Sequence, residues 1–144
     1  MIRSVLDANV FASALIHPAG TPGRILEELF ERRAFDLLIS EPILDELRRI
    51  LFYPRVRSRI RLTDEEVHRW PRLLPLRATP IEFMPATETI SSDPDDDVYL
   101  MTAREGLADY LVSGDRTLLD LRRFERVTIL PPKDFLELLG ETGR

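Results

Sequence analysis

Short apolar runs alternate with amphipathic segments along this chain, and this alternation constrains the fold more than any other feature of the sequence. Four runs have the length and composition of buried strands: 2–6, 35–39, 109–113 and 127–130. Between them lie segments whose apolar residues recur every three or four positions, as they do on one face of a helix. Strands alternating with helices predict right-handed crossovers and a parallel sheet covered on both faces. We therefore expect an α/β fold with three layers, α/β/α, around a central, mainly parallel sheet.

Capping and proline signals predict where the helices and strands begin and end. Four of the predicted helices begin at an N-cap residue: Thr21, Ser40, Thr63 and Asp93. The stretch 77–85 is a weaker strand candidate, because Pro80 fits only an edge strand or an irregular segment. A short helix over 117–121 and a last helix over 134–139 complete the alternating order.

The composition fits one globular domain. With 144 residues, of which 44% are hydrophobic, the chain can bury one ordinary core, so we assign residues 1–144 to a single domain. The sequence has no apolar stretch of about 18 residues, and its N-terminus leads directly into a strand-like run, so we expect a soluble, cytoplasmic protein without a membrane segment. Zero cysteines exclude disulfides and thiolate ligands, and two histidines leave little material for a zinc site. Any bound metal should therefore have oxygen ligands.

Four acidic side chains occupy comparable places in this predicted order. Each follows a strand directly or lies near the start of a helix next to one: Asp7, Glu46, Asp96 and Asp115. This placement gathers them at one edge of a parallel sheet, where open α/β folds have their active sites. Four converging carboxylates without basic partners repel one another unless a hard divalent cation neutralises them. The pattern predicts metal-dependent phosphodiester chemistry.

Each acid also has an ordinary explanation when it is taken alone. Asp7 and Asp115 could be turn residues, and the acids of the cluster 93–97 are favoured at a helix N-terminus by capping and by the helix dipole. Glu46 falls on the apolar stripe of its helix, where a carboxylate needs a partner unless it reaches solvent from the edge of the stripe. These explanations do not account for the acids meeting at one edge, so we favour the metal site.

An arginine-rich stretch accompanies the acidic set. Arginines are dense between residues 48 and 77, although the formal net charge of the chain is -5. Four of them alternate with other residues: Arg55, Arg57, Arg59 and Arg61. A basic surface beside an acidic pocket suits a metal site that must also hold a polyanion, so we predict that these arginines bind RNA. Alternatively, these arginines form a plain solvent face or a protein-binding surface. His17 lies in a Pro/Gly loop and is predicted to be a surface residue.

Five pieces of sequence, in order along nearly the whole chain, resemble the PIN domain family. They are Val-Leu-Asp-Ala-Asn-Val at 5–10, Ser-Glu-Pro-Ile-Leu-Asp-Glu-Leu at 40–47, Asp-Pro-Asp-Asp-Asp at 93–97, Leu-Val-Ser-Gly-Asp-Arg at 111–116, and Ile-Leu-Pro-Pro-Lys-Asp-Phe-Leu at 129–136. The chain is similar in particular to the bacterial and archaeal PIN proteins that are classed as toxin components of toxin–antitoxin pairs. The resemblance implies a metal-dependent ribonuclease fold.

The resemblance also implies roles for individual residues. The acidic quartet of the family falls on the same four acids, as catalytic residues and ligands of Mg2+ or Mn2+, with a one-residue slip between Asp96 and Asp97 left open. The polar neighbours implied for the site are Asn9, Ser113, Asp93 and Asp97. The implied activity is an endoribonuclease in which metal-activated water hydrolyses RNA. By the same resemblance the protein would form a homodimer and would be held inactive by a cognate antitoxin protein.

A protein of a different class remains the alternative. A non-catalytic module could keep the PIN fold and use the arginine-rich surface to bind RNA or a protein partner. A phosphatase of the haloacid dehalogenase type is less compatible with the sequence, because Asn9 stands where that chemistry needs a second aspartate. Metal-dependent cleavage separates the nuclease from the binding module.

Overall fold

A parallel sheet forms the centre of the computed structural model, which describes residues 1–83 and 93–142. Its six strands in the described residues are β1 (Arg3–Leu6), β2 (Asp36–Ile39), β3 (Ala78–Pro80), β4 (Tyr110–Val112), β5 (Arg123–Phe124) and β6 (Val127–Leu130). The strand order is β3-β2-β1-β4-β6-β5, and every neighbouring pair is parallel except β5 with β6. The predicted α/β fold with a mainly parallel sheet is confirmed.

Helices connect and flank these strands. They are α1 (Ala8–Ile16), α2 (Thr21–Phe30), α3 (Glu41–Leu51), α4 (Pro54–Arg57), α5 (Asp64–Leu73), α6 (Pro94–Glu105), α7 (Arg116–Leu121) and α8 (Pro132–Thr142). Helix α2 packs against α1 and α8, α3 packs against α1 and α5, and α6 lies against β1, β2 and β4. Among the described residues, no helix has both the length and the apolar character that crossing a membrane would require.

The order in which strands are added to the sheet switches from one side of β1 to the other. From β1 the chain moves to β2 on one side, and it later returns to place β4 on the other side. The ends of the two strands are aligned, because Leu6 pairs with Val112 and the Asp7 backbone N–H donates a 2.9 Å hydrogen bond to the Val112 carbonyl. In open α/β sheets the crevice outside the carboxyl ends of the strands at such a switch point is the usual binding site. The fold therefore places its crevice between β1 and β4.

Apolar residues of the strands and helices form one core around the sheet. Val5, Leu6 and Leu37 are fully buried in the central strands, and helix α2 contributes Ile25 from its apolar stripe. Burying each such aliphatic side chain stabilises the fold by roughly 1.5–3 kcal/mol. This packing makes the central strands a rigid support for whatever follows their carboxyl ends.

One predicted N-cap position, and the cap hydrogen bond expected at another, differ from the structure. Thr21 is the first residue of α2, and Gly20 occupies the N-cap position. The helix begins there because the Arg24 backbone N–H donates a 3.0 Å hydrogen bond to the Gly20 carbonyl. The loop before α2 folds back onto the first turn of the helix, where a Cβ added to Gly23 would stand only 2.0 Å from the Pro18 carbonyl oxygen. Ser40 does occupy the N-cap position of α3, but its buried hydroxyl forms a 2.8 Å hydrogen bond with Thr102 instead of capping the helix.

Other boundaries follow the sequence more closely. Thr63 and Asp93 are the N-caps of α5 and α6, as predicted, and Thr63 also forms a capping box with Glu66. Strand β3 lies at the edge of the sheet with Pro80 as its last residue, as that proline requires. The last residues of the predicted strand 77–85 lie outside the described residues. Helix α4 and strand β5 were not predicted, because elements of four and two residues are too short to show a hydrophobic period.

Candidate active site

Asp7 lies at the C-terminal end of β1, inside the crevice. Its side chain is 3% exposed, and its Oδ1 accepts a 3.0 Å hydrogen bond from the Asn9 backbone N–H because Asp7 is the N-cap of α1. Its Oδ2 accepts a 2.7 Å hydrogen bond from the Ser113 hydroxyl. Burial raises the pKa of Asp7, and these two hydrogen bonds oppose that rise. The carboxyl group is thus held in one orientation at the strand end.

Ser113 connects Asp7 to Asp115 across two neighbouring strands. Ser113 directly follows β4 and is fully buried, and its Oγ accepts a 3.0 Å hydrogen bond from the Asp115 backbone N–H. Asp115 is the N-cap of α7, and its Oδ1 accepts a 3.0 Å hydrogen bond from the Thr117 backbone N–H. One hydroxyl donates to the first acid and accepts from the backbone of the second. The spacing of the two acids is therefore fixed by Ser113 and by the pairing of β1 with β4.

Glu46 belongs to α3 and is bonded to Tyr99 of α6. The Tyr99 hydroxyl donates a 2.6 Å hydrogen bond to Glu46 Oε2 and accepts a 3.2 Å hydrogen bond from the Ala8 backbone N–H. Burial raises the pKa of Glu46, the Tyr99 hydrogen bond lowers it, and the Asp7 carboxylate raises it. Burial also raises the pKa of Tyr99 far above its usual value, so the hydroxyl stays a proton donor at neutral pH. Glu46 is half-buried and has the partner that its place on the apolar stripe requires.

Tyr99 is the residue of this crevice that the sequence analysis missed. It lies three residues after Asp96 on α6 and is 2% exposed. An aromatic residue on a helix stripe normally indicates only packing, which is why it gave no functional signal. Two facts could have identified it: the three-residue spacing places it on the same helix face as Asp96, and a buried tyrosine hydroxyl usually has a hydrogen-bond partner.

Asp96 is the acid whose burial is least compensated. It lies in the first turn of α6 and is 4% exposed, and its Oδ2 has no hydrogen-bond partner among residues 1–83 and 93–142. Burial, followed by the neighbouring carboxylates of Asp115 and Asp93, raises the pKa of Asp96 to about 7. A buried polar atom without a partner costs free energy and calls for an explanation. A hard cation is the type of partner that a carboxylate oxygen in this position would bind.

Three helices begin beside these acids. Asp7, Asp93 and Asp115 are the N-caps of α1, α6 and α7, and each accepts a hydrogen bond from a backbone N–H in its own first turn. The N-terminal end of a helix carries a partial positive charge, which stabilises nearby anions. The three helix ends offset part of the repulsion between the carboxylates. The raised pKa values of Asp7 and Asp96 indicate that the compensation is incomplete.

The other polar residues predicted near the acids take different places. The side chain of Asn9 is exposed, and its backbone N–H, not its amide group, contacts Asp7. Asp93 caps α6 by accepting a 2.9 Å hydrogen bond from the Asp95 backbone N–H. Asp97 is 9% exposed and follows Asp96 in the same helical turn.

The acids interact with one another without forming a ready metal cluster. In the part of the chain that the structure describes, no three Asp, Glu or His side chains are grouped so that they could hold a metal ion as they stand. Asp115 nevertheless raises the pKa of both Asp7 and Asp96, so their carboxyl groups share one crevice. An all-oxygen donor set with one buried, unpartnered carboxylate oxygen fits a hard divalent cation such as Mg2+ or Mn2+. Binding would require side-chain rotations that bring the remaining carboxylates together.

The four arginines predicted to bind RNA do not form one uniform surface. The Arg57 guanidinium is half-buried, forms a 2.7 Å ion pair with Asp64, and donates a 2.7 Å hydrogen bond to the Leu62 carbonyl. It therefore holds the turn after α4 in place. Three of the four are exposed and form no ion pair with any described residue: Arg55, Arg59 and Arg61.

Comparisons with known proteins agree with this geometry. A model of the PIN domain family matches residues 3–117. The chain is also 30% identical over 145 residues to the uncharacterized protein MJ1680 of Methanocaldococcus jannaschii, in an alignment that covers 94% of this chain and 90% of that protein. The α/β sheet and the family match together identify a nuclease-type domain. The chain belongs to the PIN domain family, whose members are generally nucleases that use divalent metals.

Proposed function

We propose that this protein is a cytoplasmic, metal-dependent endoribonuclease that hydrolyses RNA phosphodiester bonds with Mg2+ or Mn2+. The observation that supports the proposal best is Asp96 Oδ2, a buried carboxylate oxygen without a donor beside a second carboxylate. A fold that made no use of this charge would be more stable with a neutral residue there, because burying an uncompensated charge is costly. The chain belongs to a family whose members are generally nucleases that use divalent metals, and a carboxylate in this position could bind such a metal.

The residues of the crevice have distinct proposed tasks. Four acids would hold the cation: Asp7, Glu46, Asp96 and Asp115. When bound, the cation would lower the pKa of water and would neutralise the negative charge that develops on the phosphate. Asp93 and Asp97 would add negative charge around it, and the exposed Asn9 amide could donate a hydrogen bond to the substrate phosphate.

Two hydroxyl groups would orient the acids. Ser113 donates to Asp7 Oδ2 and so fixes the plane of that carboxylate. Tyr99 donates to Glu46 Oε2, which leaves Oε1 of that carboxylate for a ligand. Hydrogen-bonded supports of this kind typically change metal affinity or activity by roughly 10–100-fold when they are removed. Both hydroxyls are therefore proposed to position ligands and not to react.

We further propose that the protein is the toxin of a toxin–antitoxin pair, that it forms a homodimer, and that a cognate antitoxin protein holds it inactive. The resemblance to PIN toxins supports this part of the proposal. Induced expression should arrest growth of the host cell, and coexpression of an antitoxin encoded beside the gene should restore growth. Light scattering on the purified protein should give twice the mass of one chain. Normal growth during strong expression of active enzyme would argue against the toxin role.

The nuclease is tested by incubating purified protein with single-stranded RNA in Mg2+ or Mn2+, with and without EDTA. The informative variant is Asp96→Asn, which is nearly isosteric and removes one charge. The matched control is Asp120→Asn, because Asp120 is an exposed acid on α7 outside the crevice. We expect metal-dependent cleavage by the wild type and by Asp120→Asn, and a loss of at least about 100-fold in Asp96→Asn.

Other outcomes lead to different conclusions. Equal cleavage by wild type and Asp96→Asn would indicate a contaminating nuclease or a different site. Metal-independent cleavage would contradict the proposed chemistry. No cleavage by folded wild-type protein, combined with tight RNA or protein binding, would favour a non-catalytic binding module on the PIN fold.

A further inference from the structure

A second polar cleft lies at the far end of α1 from Asp7. It is formed where the loop between α1 and α2 meets the turn after α4, and it has a volume of about 790 Å3. The residues on the α1 side are Ile16 and the loop 17–20, and those on the other side are Ser58, Arg59 and Arg61. These two segments are about 40 positions apart in the sequence, and only the fold brings them together.

The charged side chains of this cleft are available for a ligand. Arg59 and Arg61 are exposed, and neither guanidinium forms an ion pair with any described residue. Between them Ile60 is 5% exposed, so it anchors the turn while its two neighbours face outward. His17 adds an exposed imidazole, which can donate at least one hydrogen bond. Two unpaired guanidinium groups beside an imidazole are a typical setting for a phosphate group.

The backbone of the cleft is also held in a defined shape. The Gly20 N–H donates a 2.9 Å hydrogen bond to the His17 carbonyl, which closes the loop. Gly23 allows Pro18 to pack directly against the first turn of α2, since an added Cβ would stand 2.0 Å from the Pro18 carbonyl oxygen. On the opposite side, the ion pair between Arg57 and Asp64 fixes the turn that carries the two free arginines. The cleft is therefore built on both sides by local contacts.

The distance between the cleft and the acids suits a polymeric substrate. Helix α1 begins directly after Asp7 and ends at Ile16, which lines the cleft. Nine helical residues with a rise of 1.5 Å each separate the two sites by about 13 Å. A phosphate bound in the cleft is thus a different phosphate from the one at the acids. A chain with several phosphates could occupy both places at once.

A second pair of exposed arginines elsewhere in the molecule provides a control for the cleft of Arg59 and Arg61. Another cleft also contains two exposed arginines, Arg33 and Arg77, but these precede β2 and β3 and so lie at the opposite edge of the sheet from the acids. That cleft also contains Asp36, whose negative charge opposes anion binding. The two arginine pairs carry the same charge, and they differ in their place relative to the acidic crevice and in the presence of a carboxylate beside them. They therefore provide a matched test.

We propose that the cleft lined by His17, Arg59 and Arg61 is a subsite for a backbone phosphate of single-stranded RNA, a few nucleotides from the phosphodiester at the acids. This inference rests on the proposed ribonuclease function and adds to it the direction in which the substrate extends, along α1. It also divides the arginine stretch into Arg57, which supports the turn, and two residues that contact the substrate.

The test compares RNA affinity in two double variants. Fluorescence anisotropy of a labelled single-stranded oligoribonucleotide in EDTA measures binding without cleavage, over KCl from about 50 to 200 mM. Arg59→Gln/Arg61→Gln should weaken binding about tenfold or more at low salt. It should also reduce the slope of log affinity against log salt by about 0.7, because the subsite holds one phosphate and each neutralised single-strand phosphate contributes about 0.7. Arg33→Gln/Arg77→Gln should change affinity by less than about twofold. Circular dichroism verifies that each variant is folded.

A third variant tests whether charge alone is sufficient. Arg59→Lys/Arg61→Lys keeps both charges but loses the bidentate geometry of the guanidinium group. It should restore the salt slope while recovering only part of the affinity. This result would distinguish contact with a phosphate from a general structural role of the two arginines.

The outcomes separate this proposal from the nuclease proposal. Equal losses in both Gln variants, an unchanged affinity in Arg59→Gln/Arg61→Gln, or no RNA binding by the wild type would overturn the subsite. Cleavage by the wild type is scored separately in Mg2+ or Mn2+. If the wild type cleaves RNA and the Arg59/Arg61 variant binds normally, the subsite is wrong and the nuclease stands. If affinity falls in that variant but the wild type never cleaves, the protein has an RNA site without the proposed enzyme activity.

Discussion

Replacing Asp96 with asparagine should make the metal-free protein more stable while removing its response to metal. In the fold, burial and neighbouring carboxylates raise the pKa of Asp96 to about 7, from an ordinary value of 3.8. The folded protein therefore holds this proton more tightly than the unfolded chain does. Stability should fall as the pH rises from about 4 to about 7 and should stay low above that range. Asp96→Asn removes the ionisation and with it the loss.

The size of the effect follows from the pKa shift. A rise of about three pKa units corresponds to roughly 4 kcal/mol if the whole shift were expressed in stability. The crevice opens at the edge of the sheet, so solvent and salt screen part of the repulsion, and we expect about 1–2 kcal/mol. For a domain of this size that is an increase of about 3–6 °C in Tm. The asparagine also lacks the charge that we propose binds a cation.

Thermal and urea unfolding of wild type, Asp96→Asn and Asp120→Asn test this reasoning. In EDTA at pH 8, Asp96→Asn should be more stable than wild type, whereas at pH 4 most of the difference should be lost, because the carboxyl is protonated in the folded protein and is close to its ordinary pKa of 3.8 in the unfolded chain. Addition of Mg2+ at pH 8 should stabilise wild type and Asp120→Asn but not Asp96→Asn. A lower stability of Asp96→Asn than of wild type in EDTA at pH 8 would show that the buried Asp96 carboxylate does not destabilise the fold.

Four further substitutions follow from the immediate surroundings of the residues that they replace. Tyr99→Phe leaves the Ala8 N–H without an acceptor and Glu46 without a donor, so urea unfolding should show a loss of about 1–2 kcal/mol, and cleavage assays should require more metal. Ser113→Ala removes the hydroxyl that joins the two strand ends, and the same assays should give a loss of about 1–3 kcal/mol and weaker cleavage. Gly23→Ala should cost about 1–3 kcal/mol by thermal unfolding, whereas Gly140→Ala, with open space around it, should stabilise α8 by about 0.5–1 kcal/mol.

For each of these predictions, one experimental outcome would contradict it. Unchanged stability and metal dependence in Tyr99→Phe would mean that its hydroxyl contributes nothing to the crevice. Normal cleavage by Ser113→Ala would show that strand pairing alone sets the spacing of the acids. Similar stability of the two glycine variants would show that the loop before α2 can move away from the helix at no cost.

The parts of the fold and the site that the sequence predicts are those with a strong local signal. The strands around Asp7 and Asp115 are continuous apolar runs, so their ends, and the acids after them, could be placed from the sequence. The edge position of β3 followed from Pro80, because proline cannot donate to a sheet ladder. Asp96 could be assigned to the inner face of α6 from its spacing to later apolar residues.

Features that depend on contacts outside the regular helix and strand patterns, whether near or far along the chain, could not be predicted. The Ser40 hydroxyl turns to Thr102, 62 positions away, although its local sequence favours a cap. The N-cap of α2 is Gly20 and not Thr21, and Gly23 lies against Pro18 in a close approach that no helix propensity describes. Arg57 looks like its neighbours in the sequence, but its ion pair with Asp64 is visible only in the fold.

The pairing of Leu6 with Val112 has a consequence for how the crevice could close around an ion. Asp7, Ser113 and Asp115 are attached to the most deeply packed part of the sheet, so they form a fixed half of the crevice. Glu46 and Asp96 come from helices α3 and α6, which can shift by small amounts without breaking a strand ladder. When an ion binds, we therefore expect Glu46 and Asp96 to move toward it, while Asp7 and Asp115 stay in place. Amide hydrogen exchange in β1 and β4 should be slow with or without metal, and protection in the first turn of α6 should rise when Mg2+ is added.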